Sequence, residues 1–337
     1  MPQDRRGLLL GATAFGLWGL FPLYWPLLEP AAATEILAHR VVWSLVLSAL
    51  LLGAARRGAA LQAIRAMWAS PRIRWPMVGA GLTIGMNWFT YIWGVNNGHV
   101  VETSLGYYIN PLVTVLLGVV VLAERLRRWQ WVALGIAFLA VVVLSLELGR
   151  PPWISLVLAF SFGTYGLLKK RVAVGPIEGL TYEGLVLVPL AVGYLGWLSA
   201  AGQASAWSQG PGHVALLATT GIVTALPLLC FAGAANRISL TTLGLLQYIA
   251  PTLQFILGVT FFGEAMSPVR WVGFSLVWLA LMILTVESIT VARRRAVHRR
   301  FQSSVESVEA GATLDPAPPA STPTGSTPHG PARLQAP

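Results

Sequence analysis

Tyr108-Ile109-Asn110-Pro111 recurs 140 residues downstream as Tyr248-Ile249-Ala250-Pro251, and the likeness runs on without a gap. Leu117-Gly118-Val119, Glu124, Trp131-Val132, Leu139-Ala140 and Glu147 have identical partners in Leu257-Gly258-Val259, Glu264, Trp271-Val272, Leu279-Ala280 and Glu287. About 15 of roughly 52 aligned positions are the same, more than shared hydrophobicity accounts for. Two copies of one apolar unit in a chain point to a membrane fold of the transporter kind, with a site between its halves.

Fainter matches keep the same order. Phe15-Gly16-Leu17-Trp18-Gly19-Leu20 aligns with Phe162-Gly163-Thr164-Tyr165-Gly166-Leu167, the segment Glu35–Arg40 with Glu178–Glu183, and Asn96 with Asn236.

The apolar content says which solvent the copies meet. The chain is 55% hydrophobic and 11% charged, where soluble domains carry about a quarter charged residues. No soluble core hides that much apolar surface, so the solvent is largely lipid. The net charge of +10 does not imply a nucleic-acid partner, because the basic residues lie between apolar runs and no RNP-like, zinc-finger or helix-turn-helix pattern occurs. The single cysteine, Cys230, excludes an intrachain disulfide and a cysteine-rich metal site. It falls in an apolar run and reads as a buried, inert thiol.

Ten apolar stretches near the roughly 20-residue spanning length fall at about 8–28, 35–53, 75–95, 101–122, 129–147, 152–169, 180–199, 213–234, 240–262 and 268–290. Arg5-Arg6 before the first and Ala31-Ala32-Ala33 after it mimic a signal peptide. The apolar region is too long for one and contains Trp18, Pro22 and Trp25, so it reads as a span.

Basic residues set the orientation. With the N-terminus inside, the cytoplasmic segments hold Arg5 and Arg6; Arg56, Arg57, Arg65, Arg72 and Arg74; Arg125, Arg127 and Arg128; Lys169, Lys170 and Arg171; Arg237; and Arg293, Arg294, Arg295, Arg299 and Arg300. The opposite loops hold Arg150 and Arg270. This is a strong positive-inside bias, and it places both termini in the cytoplasm. Each copy has five spans, an odd number, so the second enters the membrane upside down. The loop charges agree: Glu124-Arg125-Leu126-Arg127-Arg128 is basic, and its partner Glu264-Ala265-Met266-Ser267-Pro268 has lost the arginines. The expected fold is therefore an all-α membrane protein of ten transmembrane helices in two inverted five-helix repeats, residues 7–147 and 150–290. Residues 291–337 are expected to be a basic, Pro-rich, disordered cytoplasmic tail, whose arginines either touch anionic lipid headgroups or serve only as an orientation signal.

Polar groups within the spans are the site candidates. Arg40 lies about five residues inside the second span, and an intramembrane charge ordinarily faces the bundle interior or a cavity. Glu102, at the start of the fourth span, lies at similar depth, and Glu35 competes with it as a partner for Arg40; the alternative is that Arg40 snorkels to headgroups or locks helices. His39 can carry a proton near neutral pH, or be an ordinary hydrogen-bonding residue. Thr103, Tyr107, Asn110 and Thr114 form one stripe of the fourth span. Pro111 frees the carbonyl of Tyr107, Pro251 frees that of Gln247, and Gln247 and Gln254 share a face. Two proline-interrupted helices at matching places point to a central site, with packed kinks as the alternative. The third span adds Thr83, Asn87, Thr90, Tyr91 and Gly94, and the first adds Gly11, Phe15, Trp18, Pro22 and Trp25. Rings with scattered amides and hydroxyls suit a small, partly apolar solute. Trp75, Trp129, Trp131 and Trp271 near helix ends read as interfacial anchors, and Gly81 and Gly85 as a close helix contact.

Two blocks, Glu35-Ile36-Leu37-Ala38-His39-Arg40-Val41-Val42-Trp43-Ser44 and the run from Asn87-Trp88 through Asn96-Asn97-Gly98-His99 to Asn110-Pro111-Leu112, resemble the RarD type of permease in the EamA branch of the drug/metabolite transporter superfamily. The resemblance covers about residues 7–290 and implies a ten-helix fold from two inverted EamA repeats in the bacterial inner membrane. It supplies no substrate.

The expected function is secondary transport of a small organic metabolite or drug-like solute by alternating access, with a proton as candidate coupling ion. Arg40, His39, Glu102, Asn87, Tyr91, Tyr107, Asn110, Trp18, Gln247 and Gln254 are the binding and gating candidates. The fifth and tenth spans, nearly free of polar stripes, are expected to pack outside, against lipid or at a homodimer contact. No cofactor or metal is expected. A primary pump lacks its Gly-x-x-x-x-Gly-Lys-Ser/Thr loop. An intramembrane enzyme would need a nucleophile–base pair or metal cluster, and the five histidines are scattered. A non-transporting sensor or scaffold would be expected to carry a cytoplasmic output domain.

Overall fold

The computed structural model describes residues 4–55, 59–123, 125–170, 172 and 176–312. Arg56, Arg57, Glu124 and Arg171, which the repeat and the orientation drew on, lie outside them. Among the described residues every regular element is helical: α1 (Arg5–Gly19), α2 (Phe21–Tyr24), a 3-10 turn (Trp25–Leu28), α3 (Ala33–Ala55), α4 (Ala59–Ala69), α5 (Pro71–Asn96), α6 (Val100–Leu122), α7 (Arg128–Leu148), α8 (Trp153–Lys170), α9 (Pro176–Ala200), α10 (Ser205–Ser208), α11 (Pro211–Ala235), α12 (Leu240–Leu246), α13 (Ile249–Thr260) and α14 (Pro268–Ala312).

Local chemistry sets the boundaries. Prolines open α5, α9, α11 and α14, where the missing N–H has no helical partner to lose. Asp4 and Ser239 cap α1 and α12 by accepting from the Arg6 and Thr242 amides. Gly149, at φ 64°, ends α7 in the left-handed conformation.

Among the described residues, seven helices are long and apolar enough to cross a bilayer: α3, α6, α7, α9, α11, α12–α13 and α14, up to eight if α1 and α2 with its 3-10 turn count as one bent span. At 1.5 Å per residue, α6 alone is about 34 Å long, against a hydrocarbon core of about 30 Å. The outward faces are apolar: Leu50, Val120, Phe138, Leu146, Leu190 and Phe261 are exposed. Such a surface is unstable in water and ordinary in lipid. Trp75, Trp129, Trp131 and Trp271 are exposed near helix starts, as interfacial anchors are.

The helix neighbours follow a pattern. Align α1 with α8, α3 with α9, α5 with α11, α6 with α12–α13, and α7 with α14, as the sequence repeat does. Then the pair α5–α8 exchanges with α1–α11, α3–α11 with α5–α9, and α6–α8 with α1–α13, while α3–α9 and α6–α13 map onto themselves. Close approaches follow the same exchange. A Cβ on Gly81 would lie 3.2 Å from Val186 of α9, and one on Gly221, 140 positions on, 2.6 Å from the Trp43 carbonyl oxygen of α3. Gly85 likewise sits against Leu187, so the Gly81–Gly85 pair serves helix packing. Helix α7 runs antiparallel to α14: Glu147 at its end bonds Ser267 and Arg270 at the start of α14, while Arg127 at its beginning lies 3.6 Å from Glu287.

Several expectations change. The first span is not one straight helix; it bends by 45° after Gly19, where Pro22 and Pro26 open α2 and the 3-10 turn. Pro111 does not break its helix, since α6 continues through it. The second copy does break, at Gln247–Tyr248, just before Pro251. The stretch between the second and third spans contains α4, whose Trp68 stacks on Tyr182 of α9 at 4.7 Å. Cys230 is half-buried.

The compact unit of the spans runs to Ile289, and a second unit covers Thr290–Pro337. Where disorder was expected from residue 291, α14 continues to Ala312. The segment has no proline before Pro316 and is rich in Ala and Arg, both good helix formers. Residues 313–337 lie outside the described set.

Candidate functional site

Arg40 stands at the centre. It sits on α3 and is 4% exposed, and its Nε donates to Thr224 Oγ1 of α11 at 3.0 Å. Three rings surround the guanidinium: Trp88 of α5 at 4.1 Å, Trp25 at 5.2 Å and Phe21 at 6.0 Å from its carbon to the ring centroid. The last two rings lie on α2 and the 3-10 turn, beyond the 45° bend after Gly19. Cation–π attraction of about 0.5–2 kcal/mol per ring offsets part of the desolvation.

Neither expected partner of Arg40 is bound to it. Glu102 pairs with Arg150, its two oxygens 3.1 and 3.5 Å from the guanidinium nitrogens, and also accepts from the Ile154 amide. It fastens the start of α6 to the start of α8. Glu35 Oε1 accepts from the Ser205 and Ala206 amides at 2.9 and 3.4 Å. Each carboxylate takes its donors from a neighbouring element instead, Glu35 from α10 and Glu102 from the start of α8 and the residues before it. Among the described residues Arg40 forms no ion pair.

Two other candidates are hydrogen-bonded together, and a third packs on them. Tyr107 Oη donates to Asn87 Oδ1 at 3.3 Å, and Asn87 Nδ2 donates to the Leu158 carbonyl and to Ser161 Oγ at 3.0 Å, joining α5, α6 and α8. Tyr91 packs edge-on to Tyr107, with ring centroids 5.5 Å apart. Asn110 lies one turn further along α6, with a buried Oδ1 that has no hydrogen-bond partner. Trp18 packs against Phe15 and Phe231, and its carbonyl accepts from Gln254 Nε2 at 3.1 Å, bringing α13 to this centre. Gln254 is buried, with Oε1 unpartnered.

Other candidates stand apart. Gln247 is in the α12–α13 turn beside Tyr248. His39, next to Arg40 in sequence, belongs with Glu35 and His213, the latter bonded to Ser205 Oγ at 3.0 Å; its buried Nε2 has no hydrogen-bond partner. Sequence reasoning missed Phe21, Trp88, Thr224 and Ser161, which become neighbours only through packing. It also missed a buried pair on α8 and α9, where Glu183 Oε1 accepts from Lys169 Nζ at 2.8 Å and Tyr165 Oη at 3.2 Å. A signal existed: Glu183 is the repeat partner of Arg40.

A groove of about 430 Å³ lies elsewhere, between α6, α12, α13 and α14, lined by Tyr108, Tyr248, Thr252 and Trp278 and opening at Met282 and Val286. Its lining contains no charged group. Outside the spans, burial raises the Glu264 carboxyl above its ordinary value, and the Val101 and Val100 amides that it accepts at the start of α6 pull it back.

An apolar, all-helical bundle with a buried polar centre defines a multi-pass membrane protein. The comparisons make the class specific. Residues 5–146 match the EamA-like transporter family. Protein RarD of Streptomyces exfoliatus is 54% identical over 94% of this chain and 98% of its own. Protein RarD of Escherichia coli (strain K12) is 42% identical over 87% and 98%. The chloramphenicol-sensitive protein RarD of Pseudomonas aeruginosa is 34% identical over 88% and 99%. A solved crystal structure with 20% identity and a TM-score of 0.53, covering 85% of this chain and 98% of its own, shares the fold. The chain belongs to the RarD-type permeases of the EamA-like transporter family, bacterial multi-pass membrane transporters.

Proposed function

We propose that this permease is a secondary transporter of a small organic solute, working by alternating access, with ten transmembrane helices in two inverted repeats. The chain would lie in the inner membrane with both termini cytoplasmic. The exchange pattern of helix neighbours and the antiparallel packing of α7 on α14 support inversion. The exposed apolar faces of α7 and α14 meet lipid and offer the contact for a homodimer.

One observation carries the reading. Side chains from α3, α5, the bent first span and α11 converge on Arg40, a buried cation with no carboxylate among the described residues. A charge left unpaired in a span costs a few kcal/mol, so it persists where it does work. Elements of both halves meet there, so rocking one half against the other opens the site to one face or the other. The proposed coupling ion is a proton. Of the two sequence candidates, Glu102 is tied to Arg150, and His39 has a free ring nitrogen.

The test is flux of radiolabelled solutes in proteoliposomes, with and without a pH gradient. Arg40→Ala and Asn110→Ala are each expected to abolish most flux of a transported solute while protein yield is kept. Unchanged flux in both variants would overturn the site.

A further inference from the structure

We infer that the solute is a small organic monocarboxylate with an apolar or aromatic body, its carboxylate held edge-on by Arg40. This rests on the proposed transport site and names what that site recognises.

The centre has donors in surplus. A guanidinium presents five N–H groups and accepts none. Among the described residues, the one hydrogen bond of Arg40 goes from Nε to Thr224. Its neighbours add donors: Trp25 Nε1 and Tyr91 Oη are both buried without a hydrogen-bond partner. Of the other buried ionic groups, Glu287 lies 3.6 Å from Arg127. Glu35 accepts two amides, and Glu183 accepts Lys169 and Tyr165. Rings over the guanidinium cannot satisfy in-plane N–H groups, and the unpartnered Asn110 Oδ1 and Gln254 Oε1 are not bonded to it, so what Arg40 lacks is an acceptor placed in its own plane.

Shape and charge narrow the acceptor. The planar guanidinium fork fits the two oxygens of a carboxylate in its own plane. One cation balances one negative charge. Arg150 and Lys169 are committed to Glu102 and Glu183, so a phosphate dianion would bring a charge with no counterpart. A zwitterionic amino acid would find no free carboxylate beside Arg40 to balance its ammonium, because Glu35 and Glu102 are already bonded elsewhere. Phe21, Trp25, Trp88 and Tyr107 supply apolar walls for the rest of the molecule. Arg40 is enclosed, so entry requires the helices to part.

The experiment titrates the purified full-length protein in nanodiscs, reading intrinsic tryptophan fluorescence, since Trp25 and Trp88 flank the guanidinium. The probes are benzoate, phenylacetate and octanoate, with benzamide, phenyl phosphate and phenylalanine as the neutral, dianionic and zwitterionic comparisons. At least one monocarboxylate is expected to bind saturably, at least 10-fold tighter than all three comparison probes. Arg40→Gln is expected to weaken it at least 10-fold, and Arg40→Lys less. Equal binding of benzoate and benzamide, preference for the phosphate or the amino acid, no saturable binding of any monocarboxylate, or undiminished binding by Arg40→Gln would each overturn the inference. The wild-type comparison stands even where a variant fails to fold. Arg40-dependent binding without flux in proteoliposomes would sink the transport reading and leave the carboxylate; flux of other solutes with no carboxylate binding would do the reverse.

Discussion

Arg270 Nε lies 3.1 Å from Glu147 Oε2, although 123 residues separate them in the chain. Ser267 Oγ donates to the other oxygen of Glu147 at 2.9 Å, and Arg270 also bonds the Ala265 carbonyl. The related pair at the other end of the two helices, Arg127 and Glu287, is looser at 3.6 Å. Antiparallel packing of α7 on α14 sets Glu147, near the end of α7, against the start of α14, and Glu287, midway along α14, against Arg127 just before α7. A double-mutant cycle of Glu147→Gln and Arg270→Gln, read by apparent melting temperature in detergent, should show a coupling of about 1 kcal/mol. The cycle of Glu287→Gln and Arg127→Gln should show less. Equal coupling, or none in the first pair, would contradict the geometry.

Gly221 marks a tight approach of α11 to the α3 backbone. A Cβ there would sit 2.6 Å from the Trp43 carbonyl oxygen and 2.7 Å from its carbon, both backbone atoms that cannot rotate away. Gly221→Ala should cost about 1–3 kcal/mol by overpacking. At Gly166 of α8 a Cβ would meet nothing within 4 Å, so Gly166→Ala should be neutral. Monodisperse yield in size-exclusion chromatography separates the two.

Glu264 gives a pH signature. Burial raises its carboxyl above the usual value near 4.5, so the folded protein holds the proton to higher pH than the unfolded chain does. Stability contributed by this group therefore falls as pH rises from about 4.5 through the raised value. The Glu264→Gln variant lacks that slope. Its apparent melting temperature, relative to wild type, should climb over that window and be flat above it. A relative stability that falls with pH would reverse the sign.

Orientation is open to a labelling test. In a Cys230→Ser background, a membrane-impermeant maleimide should label Gln203→Cys on intact spheroplasts and Asn236→Cys only after permeabilisation. Both positions are exposed, so access decides the outcome. The opposite result would invert the topology drawn from the basic residues.

Much of this architecture was legible because it is repetitive and local. Span lengths follow from runs of apolar residues, and the aligned copies named which helices correspond. Arg40, Asn87, Tyr91 and Tyr107 stood out as polar groups within apolar runs, and the fold gathers them. The Arg40–Glu102 pairing did not hold, because helical depth says nothing about azimuth, and Arg150 is nearer to Glu102. Pro111 and Pro251 looked equivalent, yet only the second follows a break, since packing decides whether a proline is absorbed or bends the helix.

The residues alone determined that this chain lives in lipid, is duplicated, and carries a guanidinium within a span, since hydropathy and repetition are properties of the string. Tertiary structure alone decided what surrounds that guanidinium. Thr224 comes from 184 positions away and Trp25 arrives through a bend in the first span. Which side chains share a centre depends on helix rotation and crossing, set by many close contacts such as Gly221 on Trp43, and no single stretch of sequence encodes it.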